Sequence, residues 1–222
     1  MSRICSLRWP DVKRRAPAIA VASVVMMLVS TPVSVGQSPQ PVVRVEEDWQ
    51  LTLEEPDDTD YAPQLHTVMA ATGSLGDLFF QVTWNYQELP EFQPGGLQVQ
   101  AWEGDSSVFD ANFRSAPFST SAETITWTQA LETNGSTVTF SIENGQSTTW
   151  GAFGLPVEPM GVQVPAQHSG LEGYSPNVSA NSAITFGANR VESLMITQVR
   201  YFGPDGPLFV DPTPRIIHES PD

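Results

Sequence analysis

The sequence predicts an all-β protein: one antiparallel β-sandwich of jelly-roll type, preceded by an N-terminal leader. Three observations carry that expectation. Beyond residue 40, apolar side chains recur at every second position in short runs, the period of a strand with one buried face. Clusters of Gly, Pro, Asn and Asp separate the runs. Three of the 19 prolines (Pro10, Pro17 and Pro32) precede residue 37, and the other 16 punctuate the rest, where they disfavour helices and central strands. No stretch after the leader sustains a 3.6-residue apolar period with caps at both ends. Many short strands with turn signals between them make a sandwich or a jelly roll.

The elements follow in chain order. Arg3, Arg8, Lys13, Arg14 and Arg15 precede an apolar run over residues 16–29, and the small residues Ser34 and Gly36 close the segment. A basic n-region, an apolar h-region and a small-residue cleavage point define a signal peptide over residues 1–36. The expected location is therefore secreted, periplasmic or cell-surface, with a retained leader acting as an anchor in the alternative. Residues 37–41 read as a linker, 42–211 as the β-sandwich domain and 212–222 as a tail. Strands are expected over residues 42–53, 65–71, 78–86, 97–102, 123–131, 138–142, 146–153, 178–186, 194–201 and 208–210. The run at 78–86 is the clearest, with Leu78, Phe80, Val82, Trp84 and Tyr86 on one side and Phe79, Gln81, Thr83 and Asn85 on the other. Residues 104–118 and 154–173 read as loops, and Asn144-Gly145 as a two-residue hairpin turn.

Charge narrows the partners. The whole chain carries a formal charge of −15, with ten basic and 25 acidic residues. The first 36 residues hold five of the basic residues and one acid, Asp11, so the remainder sets five arginines against 24 acids, a charge of −19. Such a surface repels nucleic acid and anionic lipid. The single cysteine, Cys5, lies in the leader, which leaves the remainder without disulfide, thiol nucleophile or cysteine metal site. The leader's apolar run is short for a bilayer span, and no later segment is apolar enough for one.

Several blocks carry a family resemblance: ETITWTQ, then a strand ending in IENG, then STTWGAFG, LEGYSPNVS and FGANRVESLMITQVRYF. Their order resembles the later half of a concanavalin A-like or laminin G-like jelly roll. The blocks GGLQVQAW, TWTQ, TTWG, GYSP and GANRV are similar to exported proteins of planctomycete bacteria to which no activity attaches. The likeness implies a fold and no activity, although jelly rolls of this class often hold a structural calcium.

The residues point more to binding than to catalysis. Concanavalin A-like glucanases pair carboxylates on one strand face, and no Glu-x-Asp-x-x-Glu occurs here. Glu46, Glu47 and Asp48 are adjacent, and a strand sends adjacent acids to opposite faces. The three histidines, His66, His168 and His218, make neither a zinc spacing nor a hydrolase triad. No cofactor is expected beyond a possible structural calcium. Asp57, Asp58 and Asp60 are the acids that suit such a hard cation, and Asp105 and Asp110 frame a second loop. Sugars need aromatic platforms with amides around them. Gln98, Gln100 and Trp102 share one side of their strand, and Gln81, Thr83 and Asn85 share one side of theirs. Trp102, Gln98, Gln100 and Asn85 are therefore the candidate ligand residues. The function expected is an exported, non-catalytic module, with polysaccharide as its partner. The alternatives are a glycoside-active enzyme of the same fold and a structural protein of a cell-surface layer.

Overall fold

The computed structural model describes residues 40–56, 62–86 and 96–221. These residues form an antiparallel β-sandwich of 13 strands in two sheets. The strands are β1 (Arg44–Leu53), β2 (Gln64–Ala70), β3 (Leu78–Trp84), β4 (Leu97–Glu103), β5 (Ser106–Asn112), β6 (Thr124–Thr133), β7 (Thr137–Ser147), β8 (Gly151–Phe153), β9 (Gly161–Pro165), β10 (Ala183–Phe186), β11 (Val191–Gly203), β12 (Gly206–Asp211) and β13 (Arg215–Glu219). The larger sheet has eight strands, in the order β12-β11-β1-β6-β7-β8, with β13 added beside β11 and β9 beside β7. The smaller sheet has five, in the order β10-β2-β3-β4-β5.

Strict alternation builds the core. β1 buries Val45, Glu47, Trp49, Leu51 and Leu53 and leaves the residues between them partly exposed. Leu78, Phe80, Val82 and Trp84 are buried together, as period two requires, with Phe140 and Ile142 across the sandwich. The sheets meet through aromatic rings. Phe80 stacks on Phe140 at 5.3 Å between centroids, and Trp84 tilts against Trp127 at 4.7 Å. Trp49 and Trp127 are direct cross-strand partners and stack at 5.9 Å. Aromatic pairs of this kind add about 0.5–1.5 kcal/mol beyond the area they bury.

Several expected boundaries move, each for a physical reason. Asn144-Gly145 is not a hairpin turn. β7 continues through it to Ser147, and the two residues form an irregularity opposite Thr126–Thr128 in β6, with Asn144 at φ 54°. Gly145 lies against the Phe153 ring, where an added Cβ would come within 2.3 Å, so a side chain there would displace the ring. Residues 104–118, expected as a loop, contain β5, and residues 154–173 contain β9. Residues 178–186 yield strand only from Ala183, after a short 3-10 turn at Ser179–Asn181. The expected tail carries β13, which pairs with β11. The smaller sheet's third strand ends at Trp84, and Asn85 then takes a left-handed φ of 57°.

Candidate functional site

The outer face of the five-stranded sheet gathers most of the polar residues that the alternation assigns to it. Since Leu78, Phe80, Val82, Trp84, Leu97, Val99 and Ala101 face the core, their neighbours in β3 and β4 must face outward. The register then sets them in rows across the strands. Phe79 lies opposite Trp102, Gln81 opposite Gln100 and Thr83 opposite Gln98. β5 extends two of the rows, with Asp110 opposite Gln100 and Asn112 opposite Gln98. β2 extends them on the other side, with Val68 opposite Gln81 and His66 opposite Thr83.

An aromatic pair stands at one end of this face. Phe79 and Trp102, both half-buried, stack at 6.3 Å with planes 9° apart. The Trp102 indole N–H is buried and has no hydrogen-bond partner among the described residues. Its edge is therefore turned from solvent, and what the side chain offers a ligand is ring surface rather than a donor. At the other end, His66 Nδ1 lies 3.1 Å from Thr83 Oγ1 and 3.4 Å from Gln81 Nε2. Burial pulls the His66 pKa below its ordinary 6.5 by disfavouring the charged ring. Gln98 and Thr83 are nearly covered, whereas Gln81 and Gln100 are half-exposed and Asp110 and Asn112 open to solvent.

Asn85 is not part of this face, which corrects its assignment as a ligand residue. Its left-handed backbone turns the side chain inward, and it is fully buried. Its amide nitrogen donates to Pro63 O at 2.7 Å and Phe118 O at 2.8 Å, while its Oδ1 accepts from Phe118 N at 2.6 Å. Asn tolerates positive φ, and its amide here ties three chain segments together. Asp57, Asp58 and Asp60 lie outside the described residues. Among the described residues no three His, Cys, Asp or Glu side chains are placed to hold a metal ion. Asp105 and Asp110 do not frame a loop, since Asp110 lies on β5.

A second polar array, which sequence reasoning passed over, covers the outer face of the large sheet. Glu46 and Asp48 are two residues apart on β1 and share that face. Arg200 on β11 donates to both, at 2.8 Å from Nε to Glu46 and 2.8 Å from Nη2 to Asp48. Arg44 donates to Glu46, to Glu132 on β6 and to both oxygens of Glu143 on β7, at 2.8–3.0 Å. Thr128 and Gln198 complete the shell of Asp48, at 2.8 and 2.6 Å. The array clasps β11, β1, β6 and β7 in register. The i, i+2 spacing of Glu46 and Asp48 was its sequence signal; the adjacency of Glu47 drew attention away from it.

Glu47 itself points into the core and is fully buried. It accepts hydrogen bonds from the Tyr174 hydroxyl, from Ser179 Oγ at 2.6 Å and from Trp49 Nε1 at 3.2 Å. Burial pushes its pKa up to about 7 from an ordinary 4.5, against the opposing pull of those donors and of Arg215. The same burial, with Glu47 beside it, raises the Tyr174 hydroxyl well above 10.0. This cluster pins the segment between β9 and β10 onto β1.

No protein-family model and no curated protein matches the sequence. Among solved structures, scytalido-glutamic peptidase bound to a transition-state analog inhibitor is similar, with a TM-score of 0.36 and 7% identity over 78% of this chain and 82% of that one. A likeness at that score bears on neither the fold nor the chemistry of this chain. Among the described residues no helix is long and apolar enough to cross a membrane.

Proposed function

We propose that the protein is an exported, non-catalytic β-sandwich module of jelly-roll, concanavalin A-like type that binds polysaccharide on the outer face of its five-stranded sheet. Export rests on the basic, apolar and small-residue order of positions 1–36. One observation carries the binding reading: the register aligns a stacked Phe79–Trp102 pair with two successive rows of polar side chains, Gln81–Gln100–Asp110 and Thr83–Gln98–Asn112. Aromatic surface suits the apolar faces of sugar rings, and amides donate to and accept from hydroxyls.

A second reading, a glycoside-active enzyme, is favoured only by the shared face of Glu46 and Asp48. Their oxygens are already engaged by Arg44, Arg200, Thr128 and Gln198, an arrangement that fits a structural clasp better than an acid–base pair. A glycan array followed by calorimetric titration tests the binding reading. The wild type should bind a polysaccharide, and Trp102→Ala should weaken that binding about tenfold or more, the scale of an aromatic hot spot at about 1–3 kcal/mol. Unchanged affinity in a folded Trp102→Ala variant, or no glycan bound by the wild type, overturns it. Release of reducing sugar from the bound polymer would instead favour the enzyme.

A further inference from the structure

We infer that the face formed by Phe79, Trp102, Gln81, Gln100, Asp110 and Asn112 takes uncharged polysaccharide chains and rejects chains bearing uronate or sulfate groups, an inference that rests on the glycan-binding reading above. The argument begins with where the cations are. Beyond residue 15 the sequence holds five arginines and no lysine. Arg44 and Arg200 are in the clasp on the opposite sheet. Arg114 pairs with Glu158 and lies over the Trp150 ring, 5.0 Å from its centroid. Arg190 is buried and donates to the carbonyls of Ser119 and Glu54. Arg215 pairs with Asp211 on β12. None of the five is on a strand of the small sheet; Arg114, two residues past the end of β5, has its side chain engaged by Glu158 and Trp150.

Histidine does not fill the gap. His66 is the imidazole on this face, and its half-buried position disfavours its charged form. Among the described residues, the formal charge on the face is that of Asp110, which ends the middle row and is exposed. A carboxylate or sulfate docked here would lose water without gaining a cation, and desolvating an unpaired anion is expensive. A sugar hydroxyl has no such difficulty. It donates to Asp110 or to an amide oxygen and accepts from an amide N–H, so each row can satisfy it in both roles.

Polymers matched on one backbone separate charge from shape. The test titrates the protein with hydroxyethyl cellulose against carboxymethyl cellulose, and with dextran against dextran sulfate, at about 0.15 M salt, where screening acts beyond about 8 Å. Binding to the neutral member of a pair should exceed binding to its anionic partner at least tenfold. Asn112→Arg, on the exposed edge strand where folding is not at stake, should narrow that gap by placing a cation on the face. Equal or tighter binding of the anionic member overturns the inference and leaves the glycan reading standing. A gap that Asn112→Arg leaves intact also overturns it, because the discrimination then comes from the charge of the whole molecule. If neither member of any pair binds, while the protein also binds nothing on the array, it is the glycan reading itself that fails.

Discussion

Glu47→Gln should change how stability depends on pH. The carboxyl is fully buried among Tyr174, Ser179 and Trp49, and its pKa rises to about 7 from an ordinary 4.5. The sign follows from proton binding. Between those two values the folded protein holds a proton that the unfolded chain releases, so this group makes folding less favourable as pH rises. The penalty is absent below about pH 4.5, grows through the interval and is complete above pH 7. At about 1.4 kcal/mol per pKa unit it reaches about 3 kcal/mol. Glutamine has nearly the same shape and no charge at any pH, and its carbonyl oxygen accepts from Tyr174 and Ser179 as the carboxyl does. Its N–H₂ cannot accept from the Trp49 indole, a cost of about 1–3 kcal/mol that is the same at every pH and leaves the slope unchanged. Urea unfolding of both proteins between pH 5 and pH 8.5 isolates the group, because the other titrating residues, His66 among them, cancel in the difference. The variant should gain about 2–3 kcal/mol relative to wild type on going from pH 5 to pH 8.5. Parallel pH curves for the two proteins would refute the assignment of the raised pKa to Glu47.

Two other substitutions and the position of the mature N-terminus test the account further. Trp84→Ala removes a fully buried ring that packs on Trp127, Phe118 and Phe153. It should cost about 3–5 kcal/mol in chemical denaturation, and a loss below about 1 kcal/mol would contradict the packing. Asn85→Ala leaves the carbonyls of Pro63 and Phe118 and the Phe118 N–H without their amide partner. At about 1–3 kcal/mol for each buried group left unpaired, a loss of at least about 2 kcal/mol is expected in thermal or urea unfolding, whereas a near-neutral effect would mean these groups rearrange easily. N-terminal sequencing of protein recovered from outside the cell should begin within a few residues of Gln37, and an N-terminus at Met1 or Ser2 would contradict processing of the leader.

The fold class was legible because burial on one face imposes period two; β1 obeys it residue by residue, and β3 and β4 depart from it only where the outer face is covered too, at Thr83 and Gln98. β5 escaped because it is an edge strand exposed on both faces. Its sequence, SSVFDAN, is under no alternation pressure, and exposure runs along nearly its whole length. β13 escaped for a related reason, being a short edge strand after prolines. Asn144-Gly145 misled because the same left-handed preference serves a hairpin turn and an irregularity within a strand, and only the partner strand distinguishes the two. The faces of Gln98, Gln100 and Trp102 followed from alternation, but their alignment with Phe79, Gln81 and Thr83 depends on register, which is not local. Asn85 was assigned outward by extending the strand to residue 86, two residues past its end at Trp84. The Glu47 cluster lay beyond reach altogether, since its partners Tyr174 and Ser179 are 127 and 132 residues away.

The glycan-binding claim is tested most directly by following the side-chain amide resonances of the glutamines and asparagines by NMR while a polysaccharide identified on the array is titrated in. The account predicts that the amides of Gln81, Gln100 and Asn112 shift together with the Trp102 ring, with the same dissociation constant, while Gln50 and Gln198 on the opposite sheet stay fixed. Shifts confined to Gln50, Gln198 and the arginine side chains of the large sheet, with Gln81 and Gln100 unmoved, would contradict it.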